Sequence, residues 1–210
     1  MKPSLYRDAS KIFAYELEVP FSLGEYRERL DRVRQAMDRA NVDLLYCSAP
    51  ESMFYLSGYQ MVWYSRDSLN GILVHKDRDT FAHFECSDEE LLARQTSIAT
   101  DYFIYKYGSN EDPAAAIVGE LKKRGWLKGT IGLEKWSHHP SPALSQAFQA
   151  AIQKESVKVV DASDIIREIR TVKSPQEIAY TRTAARMADI GIEAGIRCIK
   201  PGITELDICA

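Results

Sequence analysis

Short apolar runs set at helix-sized intervals constrain this chain more than any other feature. Six occur, at 43–47, 70–75, 80–84, 102–105, 130–133 and 157–160. Each has the length of a buried strand. Between all but one successive pair lies a segment with helical signals. Alternation of strand and helix is the mark of an α/β layer architecture. The exception is Lys76-Asp77-Arg78-Asp79, a turn that makes 70–75 and 80–84 an antiparallel hairpin. The reading is therefore a mixed β-sheet flanked by helices on both faces.

The helical segments announce their own ends. Ser22-Leu23-Gly24-Glu25 is a capping box, and Tyr26, Leu30, Val33 and Met37 follow at spacings of four, three and four, on one face. The opposite face interleaves Arg27, Arg29, Arg32, Arg34 and Arg39 with Glu28, Asp31 and Asp38. Such mixed charge reads as solvated surface rather than a phosphate-binding stripe. Asn41 stops the helix. A short helix or turn is expected over 50–56, with Gly58 turning the chain. Ser87, with Glu90 three residues on, starts a further helix. Asp112-Pro113 opens another that stops at Gly125, and Ser141-Pro142 opens one that buries Leu144, Ala147, Phe148, Ala151 and Ile152.

The last fifty residues follow a different plan. A short helix is expected over 163–169. Ser174-Pro175-Gln176-Glu177 then combines a cap, a proline at the first position and a capping carboxylate. The helix it starts should run to about Ile199 with Ile178, Ala185, Ala188, Ile192, Ile196 and Ile199 as its apolar stripe, and Pro201-Gly202 ends it. Thr204 caps one more helix, of which only two turns fit before Ala210. So short a helix is marginal without partners, so the chain is expected to be a fragment. The expected organisation is a first domain over 1–160, a linker with a short helix over 161–173, and the start of a second, truncated domain over 174–210.

Composition excludes several classes. Hydrophobic residues make up 45% of the 210, too many for a disordered chain. A net charge of -3 gives no basic face for nucleic acid. No apolar run is long enough to span a membrane, and the first residues lack the apolar segment of a signal peptide. Cys47, Cys86, Cys198 and Cys209 include no Cys-x-x-Cys pair and read as reduced, buried thiols of a cytoplasmic protein. His75, His83, His138 and His139 have no recurring carboxylate spacing, so they are expected to be packed or surface imidazoles, and no metal is assigned to this chain.

Two stretches resemble the creatinase–prolidase family of "pita-bread" metallohydrolases. The first is the helix from Tyr26-Arg27-Glu28-Arg29-Leu30, then Ala40-Asn41-Val42-Asp43-Leu44-Leu45, then Met53-Phe54-Tyr55-Leu56-Ser57-Gly58-Tyr59. The family's usual asparagine is replaced there by Ser52 or Met53. The second is Ile169-Arg170-Thr171-Val172-Lys173-Ser174-Pro175-Gln176-Glu177-Ile178, continuing through Ala185-Arg186-Met187-Ala188-Asp189-Ile190-Gly191 to Pro201-Gly202-Ile203-Thr204-Glu205. It is similar to the entry into the family's catalytic domain, and its middle run is closer to creatinase than to the proline aminopeptidases. The resemblance implies a mixed α/β N-terminal domain, a pita-bread catalytic domain that begins near residue 174, and a homodimer. It implies hydrolysis of an amide-like C–N bond in a dipeptide or small carboxylate-bearing molecule such as an Xaa-Pro dipeptide, creatine or ectoine. Most members use two divalent metal ions held by two Asp, one His and two Glu, whereas creatinase uses a histidine base without metal. All those groups come later in the family's chain than residue 210, so no catalytic residue is assigned and the fragment alone is expected to be inactive. A non-catalytic binding module that keeps the fold is the alternative.

Within the first stretch, Tyr59-Gln60-Met61-Val62-Trp63-Tyr64-Ser65-Arg66-Asp67-Ser68 stands out as an aromatic loop with one guanidinium. Loops on rigid scaffolds carry function disproportionately. Arg66 has the forked geometry to hold a substrate carboxylate, and Trp63 and Tyr64 can wall a small cationic or ring-bearing group. On residue chemistry alone, the commoner fate of such residues is a core or interface aromatic and an arginine paired with its acidic neighbour Asp67. The resemblance adds that the corresponding loop reaches across the dimer, making Arg66, Trp63 and Tyr64 substrate contacts supplied in trans.

Overall fold

The computed structural model describes residues 17–61, 68–78, 81–108 and 112–209. The chain divides into two compact units after Arg170. The first runs α1 (Leu23–Ala40), β1 (Leu44–Cys47), α2 (Pro50–Ser57), β2 (Gly71–His75), β3 (Phe81–Cys86), α3 (Glu90–Thr96), β4 (Asp101–Tyr105), α4 (Pro113–Arg124), β5 (Thr130–Leu133), α5 (Pro142–Gln153), β6 (Lys158–Asp161) and α6 (Ser163–Ile169). Its strands form one six-stranded sheet in the order β4-β3-β2-β1-β5-β6. β1 pairs antiparallel with β2, and β2 with β3; the β1–β5, β3–β4 and β5–β6 pairs are parallel. Only β2 therefore runs against the rest, and the mixed sheet expected from the single hairpin is the sheet observed.

Strand side chains alternate between the two faces. Leu45, Cys47, Ile72 and Val74 pack with Val33 and Met37 of α1, Met53 and Leu56 of α2, Ala93 of α3 and Ile166 of α6. Leu44, Tyr46, Leu73, Ala82 and Phe84 pack with Ile117 and Leu121 of α4 and Phe148 and Ile152 of α5. Both faces are covered, as a largely parallel sheet requires.

Several local signals act as read. The Ser22 hydroxyl accepts from Glu25 N at 3.2 Å, and Asn41 ends α1 in the left-handed region at φ 52°. Asp112 and Ser141 cap α4 and α5, each followed by proline. Gly58 ends α2 at φ 85°, where a Cβ would meet Thr96 O at 2.9 Å.

Three details of this first unit differ from expectation. Arg29 is not on a solvated face. It is fully buried, bonded through Nε to Glu25 at 3.0 Å and through Nη1 to Tyr55 O at 3.0 Å, with Phe21 and Tyr55 rings against it at 4.0 and 4.4 Å. Aromatic faces and a buried carboxylate together replace the water that a guanidinium gives up. Ser87 does not cap α3, which begins at Glu90; its hydroxyl instead accepts from Tyr107 N at 3.2 Å. On α5, Phe148 and Ile152 are buried but Ala147 faces solvent.

The second unit holds α7 (Pro175–Cys198) and α8 (Glu205–Cys209). Its capping box is complete: Glu177 N donates to Ser174 Oγ at 3.1 Å, and Ser174 N to Glu177 Oε2 at 2.8 Å. No residue of α7 is buried, and Ile192 and Ile196 of its apolar stripe are each 62% exposed. Cys198 is likewise exposed, against the expectation of a buried thiol, whereas Cys47 and Cys86 are buried and free.

Candidate functional site

Because only β2 is reversed, the carboxyl ends of β1, β3, β4, β5 and β6 share one edge of the sheet, where β2 begins. In open α/β sheets ligands bind at this edge, where the strand order reverses. Two buried carboxylates stand on it, and their surroundings divide their work.

Glu134 directly follows β5. Its Oε2 accepts from Ser48 N at 3.0 Å and Ala49 N at 2.8 Å, and its Oε1 from the Ser52 hydroxyl at 2.5 Å. Ala49, the N-cap of α2, has no side-chain acceptor of its own. Glu134 therefore caps α2 from another strand and satisfies the amides that a helix start leaves open. Burial raises its pKa, and the hydrogen bonds from Ser52, Ala49 and Ser48 offset this only partly. Glu134 also lines a cavity of about 310 Å³ with Tyr46, Leu133, Ser137 and Phe148.

Glu85 stands at the end of β3 and is completely buried. Asn70 Nδ2 lies 3.1 Å from both its oxygens, and Cys86 N donates to Oε1 at 2.8 Å. His83 Nε2 is 3.6 Å from Oε2, while Nδ1 shares a hydrogen bond with the Ser97 hydroxyl at 3.3 Å. Burial pushes the Glu85 carboxyl up, but the neighbouring His83 imidazole, the Cys86 amide and the neighbouring Tyr59 hydroxyl together outweigh it, so its pKa lies below the usual range. Tyr59 packs edge-on against His83 with ring centroids 4.7 Å apart, and burial beside the Glu85 charge raises its phenol strongly. Asn70 is held on every side. His139 Nε2 donates to its Oδ1, and the Tyr46 hydroxyl donates to its carbonyl at 2.6 Å. The neighbouring Leu69 N donates to the Tyr105 hydroxyl at 2.9 Å. Gly71 follows because nothing larger fits: a Cβ would lie 2.5 Å from the Tyr46 ring and 2.7 Å from Cys47 O.

The consequence is a fixed frame on either side of residues 62–67. Residues 59–61 lead out of it and residues 68–70 lead back in; Tyr59, Met61, Ser68, Leu69 and Asn70 are all buried. Trp63, Tyr64 and Arg66, the substrate contacts expected from the sequence, lie outside the described residues. Glu85, Asn70, His83, His139 and Glu134 were not singled out as a group by the sequence. A signal existed in Phe81-Ala82-His83-Phe84-Glu85-Cys86, where a histidine and a carboxylate interrupt an apolar strand. Buried charges occur where they are paired.

This chemistry is positioning. Each carboxylate is committed to donors of the fold, Cys47 is pushed far up by burial, and Cys86 is pushed up to about 12. Among the described residues no three His, Cys, Asp or Glu side chains converge as metal ligands, so the described residues do not fit a metal centre.

The profile of the Creatinase/Prolidase N-terminal domain matches residues 29–172. A putative dipeptidase of Bacillus subtilis is 27% identical over 182 residues, covering 87% of this chain and 48% of that protein. The ectoine hydrolase of Halomonas elongata is 26% identical over 211 residues, covering 90% of this chain and 48% of that protein. The chain thus spans about half the length of the curated relatives it matches. Among solved structures, the recombinant prolidase of Thermococcus sibiricus superposes with a TM-score of 0.71 at 14% identity, covering 90% of this chain and 48% of that one, a likeness of fold. On the profile match, the chain belongs to the creatinase/prolidase N-terminal domain family.

Proposed function

We propose that this chain is the N-terminal, substrate-facing part of a prolidase-like hydrolase that cleaves an amide-like C–N bond in a small carboxylate-bearing molecule. The buried base around Glu85 and Asn70 supports this reading, because Leu69 and Asn70 are held there on one side of the segment that carries Trp63, Tyr64 and Arg66, and Tyr59, buried against His83, is held on the other. A segment whose flanks are fixed has less freedom to lose on binding a ligand. Arg66 would pair with the substrate carboxylate, and Trp63 and Tyr64 would border its ring or cationic group, in the active site of the second subunit of a homodimer. Residues 174–210 would open the catalytic domain. Catalytic groups, with two divalent ions if the protein follows the prolidases, would come from beyond residue 210; the ions would activate water and polarise the carbonyl. No residue of this chain is assigned to bond cleavage.

The test is a screen of Xaa-Pro dipeptides, creatine and ectoine, with and without Mn²⁺ or Co²⁺. It compares the 210-residue chain with a polypeptide extended by the remainder of its reading frame. Turnover is expected from the extended protein alone. Turnover by the 210-residue chain would contradict the assignment of roles, and none by the extended protein would favour the binding-module reading.

A further inference from the structure

The two edges of the sheet are protected differently. β6 is Lys158-Val159-Val160-Asp161, with an exposed charge at each end. β4 is Asp101-Tyr102-Phe103-Ile104-Tyr105, with three large side chains in succession only partly covered. Charges on an edge strand discourage pairing, and an apolar edge invites it unless something covers it. In a parallel ladder, alternate residues turn both backbone groups toward the neighbouring strand. Tyr105 O accepts from Ser87 N at 2.8 Å, which places Phe103 and Tyr105 in the ladder with β3. Tyr102 and Ile104 accordingly turn their N–H and C=O outward, and no strand among the described residues pairs with that side. A groove of about 610 Å³ runs along it, bordered by Glu90 and Arg94 of α3 and by Glu120 and Lys123 of α4. The path of the chain ahead of α1 leads toward this groove. Val19 lies against the end of α2, where a Cβ on Gly58 would come within 2.9 Å of its Cγ1. One residue earlier, Glu18 N donates to Gln95 O at 2.8 Å and Gln95 Nε2 donates to Glu18 Oε1 at 2.7 Å. Followed backwards, the chain thus passes from α2 to α3, the helix whose Arg94 guanidinium stands 4.7 Å over the Tyr102 ring.

We propose that residues 10–15 of this chain occupy the groove as a further strand, lying antiparallel to β4 and taking up the outward groups of Tyr102 and Ile104. Direction is the first argument. α3 ends at Thr96 and β4 begins at Asp101, so a chain followed backwards past Gln95 meets the groove at the start of β4 and runs along it toward Tyr105. Length is the second. Sixteen residues precede Leu17. Crossing a helix about 10 Å wide takes about three extended residues, and lying along β4 takes about five more. Residues 10–15 are the ones that reach. Composition is the third. Ser10-Lys11-Ile12-Phe13-Ala14-Tyr15 contains no proline or glycine, and its Ile, Phe and Tyr favour strands with one apolar face. Tethered at Glu18, the segment meets the groove at an effective concentration on the order of millimolar, which a separate chain reaches only in concentrated solution. The proposal stands on the strand edge and the path of residues 17–19, and is independent of the substrate assignment.

The experiment is hydrogen exchange of the Tyr102 and Ile104 amides in the unmodified chain, read by NMR against the amides of β1 and repeated over a range of protein concentrations. Outward amides of an uncovered edge exchange quickly. Both are expected to be protected, to the same degree at every concentration. Ile12→Pro and Phe13→Pro change successive positions, so one of them removes an N–H that faces β4. Phe13→Asp sets a charge against the apolar edge. The effective proline and Phe13→Asp are each expected to speed exchange at Tyr102 and Ile104 about tenfold or more while β1 stays protected. If a proline loosens β1 as well, Phe13→Asp carries the test. Cross-strand nuclear Overhauser contacts from Ile12 or Phe13 to Tyr102 or Ile104 are also expected, and they need no variant. Their absence contradicts the pairing. Free exchange of both amides in the parent overturns the proposal. So does protection that survives Phe13→Asp, or protection that rises with concentration, which would mean that a second copy covers the edge.

Discussion

At the scale of single residues, Glu134 and Glu85 are both buried at one end of the sheet, just after β5 and on β3, yet their pKa values move in opposite directions. Glu134 is raised by burial, so the folded state holds its proton more firmly than the unfolded chain does. Its contribution is present below the unfolded pKa and is lost as pH rises through the folded one. Glutamine keeps an oxygen for the Ser48 and Ala49 amides and offers an amino group to Ser52 Oγ. Glu134→Gln is therefore expected to be at least as stable as the parent at pH 7, with the difference vanishing toward acid, by chemical denaturation at several pH values. Glu134→Ala leaves the start of α2 uncapped and should cost about 1–3 kcal/mol. Glu85 has the opposite sign. Its lowered pKa favours the fold above the usual carboxylate range, and that contribution is lost as pH falls through the folded value. In Glu85→Gln an amide must face Asn70 and His83. A loss of about 1–3 kcal/mol at pH 7 is expected, with a flatter acid limb in the stability profile. A profile parallel to the parent's would show that Glu85 is not ionised in the folded protein. Native-state thiol titration should modify Cys198 before Cys47 and Cys86, whose thiols burial raises.

At the scale of elements, much was legible in the sequence because caps and strand patterns are local. The Ser22, Asp112, Ser141 and Ser174 starts all hold, since each depends on atoms within three residues. Ser87 misleads because Tyr107 N, twenty residues away, takes the hydroxyl that a cap would use. Arg29 misleads because a helical wheel does not reveal that Phe21 and Tyr55 will enclose a guanidinium. Glu134 was illegible as a cap because the helix it caps lies more than eighty residues earlier. The Asn70-Gly71 start of β2 has a steric explanation that only the packed sheet reveals. Gly71→Ala drives a methyl into the Tyr46 ring and the Cys47 carbonyl and should cost about 1–3 kcal/mol. A thermal melt checks this, and an unchanged midpoint would mean that Tyr46 can move without loss.

At the scale of the whole molecule, the mixed sheet with helices on both faces follows from six strand runs and one hairpin turn, and the family assignment rests on a profile match across most of the first unit. No helix among the described residues is long and apolar enough to cross a membrane. Function was less legible because the groups involved are brought together by pairing in the sheet: Asn70 reaches Glu85 across the β2–β3 hairpin, and His139 reaches Asn70 from beyond β5. Those contacts hold the C-terminal flank of the segment carrying Arg66, and that residue's role in binding is the central claim. Steady-state kinetics of Arg66→Ala in the extended protein, on the substrate it turns over, test it most directly. KM is expected to rise about tenfold or more as a charge-assisted carboxylate pair is lost, with Tm unchanged and kcat affected far less; KM and kcat both equal to the parent's would contradict it.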